Sequence, residues 1–94
     1  MSFWVYILEC ADKSYYVGHT DDLARRMSQH HTGALRGYTS GRRPVRLVYS
    51  QSFSSREQAF AAERQLKGWG RAKKEALMQR DWQLLQVLAR GRNR

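Results

Sequence analysis

The sequence predicts an α+β fold: a small three-stranded sheet, its first two strands a hairpin, flanked by helices in the order β-β-α-β-α-α-α. Three observations carry that prediction. Two short runs rich in aromatic and β-branched residues are separated only by a polar turn. Residues with N-capping side chains precede three later segments of helical period. Gly33, Gly37, Gly41, Pro44, Gly68 and Gly70 fall between segments rather than inside them. With 94 residues, 41% of them hydrophobic and 12% aromatic, the chain can build one compact core. Two independent cores and wholesale disorder are both excluded.

Each element follows from its residues. Phe3 to Glu9 is too short for a typical helix, and both its alternating sets are apolar at the centre. It reads as a strand covered on both faces. Tyr15 to Thr20 is the second strand, with Ala11-Asp12-Lys13-Ser14 as the turn. Thr20-Asp21-Asp22 offers cap oxygens and negative charge to a helix running to about His31. At 100° per residue, Leu23, Arg26, Met27 and His30 share one stripe, and Arg25 points away from it. Residues 32–44 form a loop. Arg46 to Ser52 alternates as a third strand, with Leu47 and Tyr49 on one face and Val48 on the other. Ser54 and Glu57 make a capping box for a second helix, whose buried side is Ala59, Ala62 and Leu66. A third helix spans Arg71 to about Gln79. Asp81 caps a fourth, with Trp82, Leu85, Leu88 and Ala89 near one face. The domain covers residues 1–89, and residues 90–94 form a basic tail expected to fray.

The charge balance asks for an acidic partner. Lys and Arg number 17 against 8 Asp and Glu, a net charge of +9. Nucleic acid is the first candidate, an anionic membrane surface the second and an acidic protein the third. One cysteine, Cys10, excludes an intrachain disulfide and suits a reducing compartment. The apolar run from Phe3 to Leu8 is too short for a secretory signal, and no stretch approaches a membrane span. A soluble cytoplasmic protein with no membrane contact is the expectation.

Three groups of residues could carry chemistry. Glu63 lies close to the line joining Ala59, Ala62 and Leu66, where a carboxylate costs free energy unless something compensates it. It is either an edge residue, solvated or paired with Arg64 or Lys67, or a ligand for a hard divalent cation. Arg26 and His30 point from the first helix toward the body of the protein. They either snorkel at the edge of the stripe or set a fixed cation beside a proton carrier. Tyr6 and Tyr16 either pack in the core or share a site. The register decides: pairing Tyr6 with Gly18 and Leu8 with Tyr16 brings both hydroxyls to one face, and a one-residue slip separates them.

Trp4-Val5-Tyr6, then Tyr16-Val17-Gly18 ten residues on, then Asp22-Leu23-Ala24-Arg25-Arg26, His30 and Glu63 together resemble the GIY-YIG nucleases. The likeness runs from about Phe3 to Trp82 and is greatest to the small stand-alone bacterial members. It also extends to the nuclease domain of structure-selective branched-DNA endonucleases. Trp4 stands where the signature has glycine. Many catalytic members carry a late Asn, and the one Asn here is Asn93. The resemblance implies roles. Tyr6 would help activate the attacking water, Tyr16 would orient water or phosphate, and Arg26 would stabilise the transition state. His30 would assist proton transfer, and Glu63 would bind a single Mg²⁺ or Mn²⁺.

Other patterns are weaker. Cys10, His19, His30 and His31 lack the paired spacings of structural zinc sites, and no P-loop is present. Arg36, Arg42, Arg43, Arg46, Lys67 and Arg71 are candidate phosphate contacts, with Arg90, Arg92 and Arg94 behind them. The expected activity is metal-dependent hydrolysis of phosphodiesters in branched or single-strand-containing DNA, of repair or recombination type. No element looks equipped to read base edges. The alternatives are a nucleic-acid-binding module that does not cleave and a nuclease subunit whose specificity comes from a protein partner.

Overall fold

The computed structural model describes residues 1–91. It contains β1 (Phe3–Glu9), β2 (Tyr15–Thr20), α1 (Leu23–Thr32), β3 (Arg46–Phe53), α2 (Arg56–Lys67), α3 (Arg71–Met78) and α4 (Trp82–Gly91). The order is the predicted one. The three strands form one antiparallel sheet in the order β2-β1-β3. Because β1 is central, both its faces are covered, and Val5, Tyr6, Ile7 and Leu8 are all fully buried. That explains its unbroken apolar run.

The turn after β1 closes through Asp12, whose Oδ1 accepts from the Ser14 backbone N–H at 3.1 Å. The resulting register pairs Tyr6 with Gly18 and Leu8 with Tyr16. Opposed residues of an antiparallel pair share a face, so both tyrosines point to one side. The pleat sorts the core in two. Val5, Ile7 and Val17 pack with Tyr49, Leu66 and Leu77. Tyr6, Leu8, Cys10 and Val45 form the other cluster, joined by Tyr16, Leu23 and Met27. Each fully buried aliphatic side chain contributes roughly 1.5–3 kcal/mol to holding the layers together.

Three local expectations are corrected. In β3, Ile7 pairs with Tyr49 and Leu8 with Leu47, so Val48 is an extra residue at a bulge. Leu47 and Tyr49 therefore take opposite faces, Tyr49 in the Val5 cluster and Leu47 38% exposed. The cap of α2 is Ser55, not Ser54: its Oγ accepts from Gln58 N–H at 3.2 Å, and Ser54 Oγ donates to the Gln58 side chain. On α4, Leu85 packs against the core, whereas Trp82 and Ala89 are exposed. Helix α4 runs through residues 90 and 91. Arg92, Asn93 and Arg94 lie outside the described residues.

Candidate active site

Helix α1 is set by its ends. The Asp22 side chain accepts from Arg25 N–H at 3.1 Å, and Gly33 closes the helix at φ 78°. That left-handed φ favours glycine. With its ends fixed, α1 turns Arg26, Met27 and His30 toward the sheet and leaves Arg25 exposed.

His30 is buried at 3% exposure and bridges two hydroxyls. Its Nε2 lies 3.0 Å from Tyr6 Oη and its Nδ1 lies 2.9 Å from Thr39 Oγ1. The Tyr16 ring meets the same imidazole in a T-shaped contact at 5.5 Å, and the two tyrosine rings are 6.4 Å apart. Gly18 makes this possible. A Cβ there would stand 2.5 Å from Tyr6 Oη and 2.7 Å from its Cζ, so the phenol lies directly over the glycine toward the β2 edge.

Burial pushes the Tyr6 phenol up to about 12, the Tyr16 hydroxyl adds to this, and the Arg26 guanidinium opposes it. The negative charge of Glu63 also raises it, as the smallest cause. His30 moves the other way: burial first, then Arg26 and His31, hold the imidazole below its ordinary 6.5. At neutral pH both groups are uncharged. A neutral imidazole donates from one nitrogen and accepts at the other. In the tautomer with the proton on Nδ1, Nδ1–H donates to Thr39 Oγ1 and Nε2 accepts from the Tyr6 hydroxyl; the other tautomer reverses both bonds. In the first, the lone pairs of Tyr6 Oη are left to accept.

Arg26 contributes an unfinished contact. Its Nε is buried and has no hydrogen-bond partner among the described residues. A buried guanidinium nitrogen without a partner costs free energy, and an anionic oxygen would satisfy it.

Glu63 reaches the site from the opposite side of the sheet. It is 7% exposed, with Oε1 at 2.6 Å from His19 Nδ1 and Oε2 at 2.9 Å from Lys67 Nζ. His19 pairs with Val5, so its side chain lies on the opposite face from Tyr6 and Tyr16. The structure thus gathers Tyr6, Tyr16, Arg26 and His30 on one face. It places Glu63 on the other, the two groups flanking edge strand β2. The sequence reasoning missed His19 and Thr39. Three residues after Tyr16 on an alternating strand, His19 necessarily falls on the opposite face from it, and that was the available signal. Thr39 sits in an irregular loop and offered none.

Among the described residues, no cluster of three His, Cys, Asp or Glu side chains is placed to hold a metal ion. Glu63 alone supplies a hard oxygen. This donor set fits a hydrated divalent cation held through one carboxylate oxygen, with water and substrate phosphate completing its shell. Lys67, whose side chain is 55% exposed, would have to yield its oxygen.

Most of the candidate phosphate contacts already have partners. Arg42 pairs with Asp12 at 3.0 Å and lies 4.0 Å over the Tyr38 ring. The Arg43 guanidinium packs against Gly33 and reaches the His31 carbonyl at 3.4 Å. Arg46 pairs with Glu9 at 2.6 Å. Arg71 donates to the Lys13 carbonyl at 2.7 Å and pairs with Glu75 at 3.1 Å. Arg36 is exposed and has no ion pair among the described residues.

A buried Tyr–His pair, with Arg26 beside Tyr6 and its Nε unpartnered among the described residues, lies against a three-stranded antiparallel sheet. The chain belongs to the GIY-YIG family: the model of the GIY-YIG catalytic domain matches residues 2–76. Among its relatives is a UPF0213 protein of Streptococcus pneumoniae, 45% identical over 75 residues, covering 80% of this chain and 76% of the relative. The solution NMR structure of the UPF0213 protein BH0048 from Bacillus halodurans is 46% identical, with a TM-score of 0.56 and 84% of each chain covered. That of the protein EF2693 from E. faecalis is 34% identical, with a TM-score of 0.60 and the same coverage. The chain is therefore a small member of the family with the same α+β fold. Among the described residues, no helix is long and apolar enough to cross a membrane.

Proposed function

We propose that this protein is a metal-dependent DNA endonuclease acting on branched or single-strand-containing DNA. The observation that carries the reading is the partnerless Arg26 Nε lying against the Tyr6–His30 pair. A phosphodiester oxygen seated there would satisfy Arg26 and bring phosphorus next to the Tyr6 hydroxyl.

In this reading a water attacks phosphorus in line, the P–O bond to the opposite sugar oxygen breaks, and that oxygen leaves and takes a proton from solvent. Tyr6 Oη accepts the water's proton while its own proton passes to His30 Nε2. A free phenolate is not required, which matters because a pKa of about 12 leaves only roughly one part in 10⁵ ionised at pH 7. Thr39 is a positioning residue that holds the imidazole in the accepting tautomer. Tyr16 orients the water or phosphate. Arg26 neutralises charge developing on the phosphoryl oxygens. Glu63 would hold a single Mg²⁺ or Mn²⁺, which when bound supplies charge neutralisation at the phosphate. His19 fixes one Glu63 oxygen. The net charge of +9 favours a polyanion over other acidic partners.

The test is cleavage of labelled single-stranded, flap, fork, junction and duplex DNA with and without Mn²⁺. Arg26→Ala is expected to lose ~10²-fold or more. Glu63→Ala is expected to remove the metal response. No metal-dependent product on any substrate, or mutants that cut as well as wild type, would overturn the proposal. Salt-sensitive binding without product would favour the non-cleaving module instead.

A further inference from the structure

Beside the Glu63 pair, the surface carries an exposed aromatic ring that no part of the proposed mechanism uses. Phe60 precedes Glu63 by three residues on α2, so the two share a face of the helix. The Phe60 ring makes a T-shaped contact with His19 at 5.5 Å between centroids, and His19 holds Glu63 Oε1. Phe60 nevertheless remains 48% exposed. It borders an open hollow of about 460 Å³, with mostly apolar walls, lined by His19, Arg56, Glu57 and Phe60.

The chemistry of this hollow is selective. Two cations border it: Arg56, which pairs with Asp21 at 3.2 Å, lines the wall, and the Arg64 guanidinium lies over the Phe60 ring at 5.8 Å, where a stacked base would displace it. The carboxylate of Glu57 stands on the same rim, where it would repel a phosphate but accept from the amino group of a base. An exposed aromatic face between arginines, with an acceptor at its edge, matches a nucleobase with its backbone outside. Tyr38, the other exposed ring near the site, is stacked with Tyr16 on one side and held by Arg42 at 4.0 Å, much closer than Arg64 lies to Phe60. A base inside a duplex is stacked on both faces and cannot enter such a hollow, whereas an unpaired base can.

We infer that Phe60 is a stacking platform for one unpaired base of the DNA strand adjoining the scissile phosphate, and so the residue that selects single-stranded over duplex DNA. The location beside the scissile phosphate rests on the endonuclease reading. The stacking itself does not. The nearest reactive group, Glu63, is one side chain away through His19, so a base held here sets the register of the strand at the site.

The test separates the two ideas by measuring binding without cleavage. The full chain, wild type and Phe60→Ala, Phe60→Leu and Phe60→Trp, is titrated in metal-free buffer against a short labelled single strand and the same sequence as a blunt duplex. Alanine and leucine are both expected to weaken single-strand binding by about 5- to 150-fold, the range for loss of one base–aromatic stack. Tryptophan should restore it, and duplex binding should not change in any variant. Leucine binding single strand as tightly as wild type would overturn the inference, because the contact would then need only an apolar surface. Equal losses on single strand and duplex would overturn it too, as would no loss on either. If Mn²⁺ yields no product on any substrate while this pattern holds, the endonuclease reading fails and the stacking site stands. If cleavage is found but the leucine variant binds like wild type, the reverse is true.

Discussion

The two faces of β1 carry opposite kinds of chemistry on one seven-residue strand. Val5 and Ile7 enter a cluster with Val17, Tyr49, Leu66 and Leu77, and the Glu63–His19 pair lies on the same side of the sheet at its β2 edge. Tyr6, one residue between them, enters a face where a phenol, an imidazole and a threonine hydroxyl are joined in series. Backbone geometry and burial are the same on both faces. The difference is what α1 and the following loop bring to one side and α2 and α3 to the other. The Val5 face holds the sheet together by apolar packing, and its one buried carboxylate, among the described residues, is compensated by His19 and Lys67 at the β2 edge. The polar face is closed off from water, so burial holds the Tyr6 phenol and the His30 imidazole in their neutral forms at pH 7.

That contrast can be broken most severely from the apolar side. Ile7→Ala removes a fully buried side chain and is expected to cost about 2–5 kcal/mol of stability. Chemical denaturation would show it as a lower midpoint, and a loss near zero would mean the core is not where the structure puts it.

Gly18→Ala sharpens the comparison, because it intrudes only on the polar face. The new methyl would overlap the Tyr6 hydroxyl, and the buried ring has little room to retreat. About 1–3 kcal/mol of stability is expected to go, together with ~10²-fold or more of cleavage as Tyr6 leaves His30. Thermal melts and single-turnover cleavage on one preparation would check both, and an alanine variant as active as wild type would deny the close approach any role.

A smaller effect comes from pH. His30 titrates below 6.5 when folded and near 6.5 when unfolded. The stability it contributes as a buried neutral group is therefore complete above 6.5 and is lost as pH falls through the folded pKa. Activity should fall over the same acid limb, because a protonated Nε2 cannot accept from Tyr6. Comparing melting curves of wild type and His30→Gln from about pH 7 to 5 isolates this. Parallel curves would remove His30 as the cause.

The smallest change is expected at the hairpin end, away from both faces. Arg46 pairs with Glu9, but its side chain is 74% exposed. Arg46→Ala should lower the urea midpoint only slightly, with the shift shrinking as salt is raised. A larger and salt-independent loss in urea unfolding would mark this pair as structural.

Some of this was legible in advance. The strand and helix order followed from period and capping, because those signals are local. The stripe of α1 selected Arg26 over Arg25 by angle alone, and the exposed Arg25 agrees with it. The β3 bulge at Val48 was not legible, since an extra residue leaves alternation in the sequence intact and shows only in pairing with β1. Nor was the engagement of Arg42, Arg46 and Arg71 with Asp12, Glu9 and Glu75. Of those pairs only Arg71–Glu75 is one helical turn apart. The others join residues about 30 positions or more apart in the chain, where no spacing rule applies.

The sequence by itself determined the fold class, the family resemblance, the excess of positive charge and the residue types available for chemistry. Tertiary structure alone decided which of those residues meet. Hairpin register put Tyr6 and Tyr16 on one face. Loop closure delivered Thr39 to His30. Packing of α2 against edge strand β2 brought Glu63 to His19, and with it Phe60 to the rim of the site. The physical reason is range. Periodicity and capping act over one or two turns of chain, whereas a site is built from contacts tens of residues apart, and those are fixed only when the core closes.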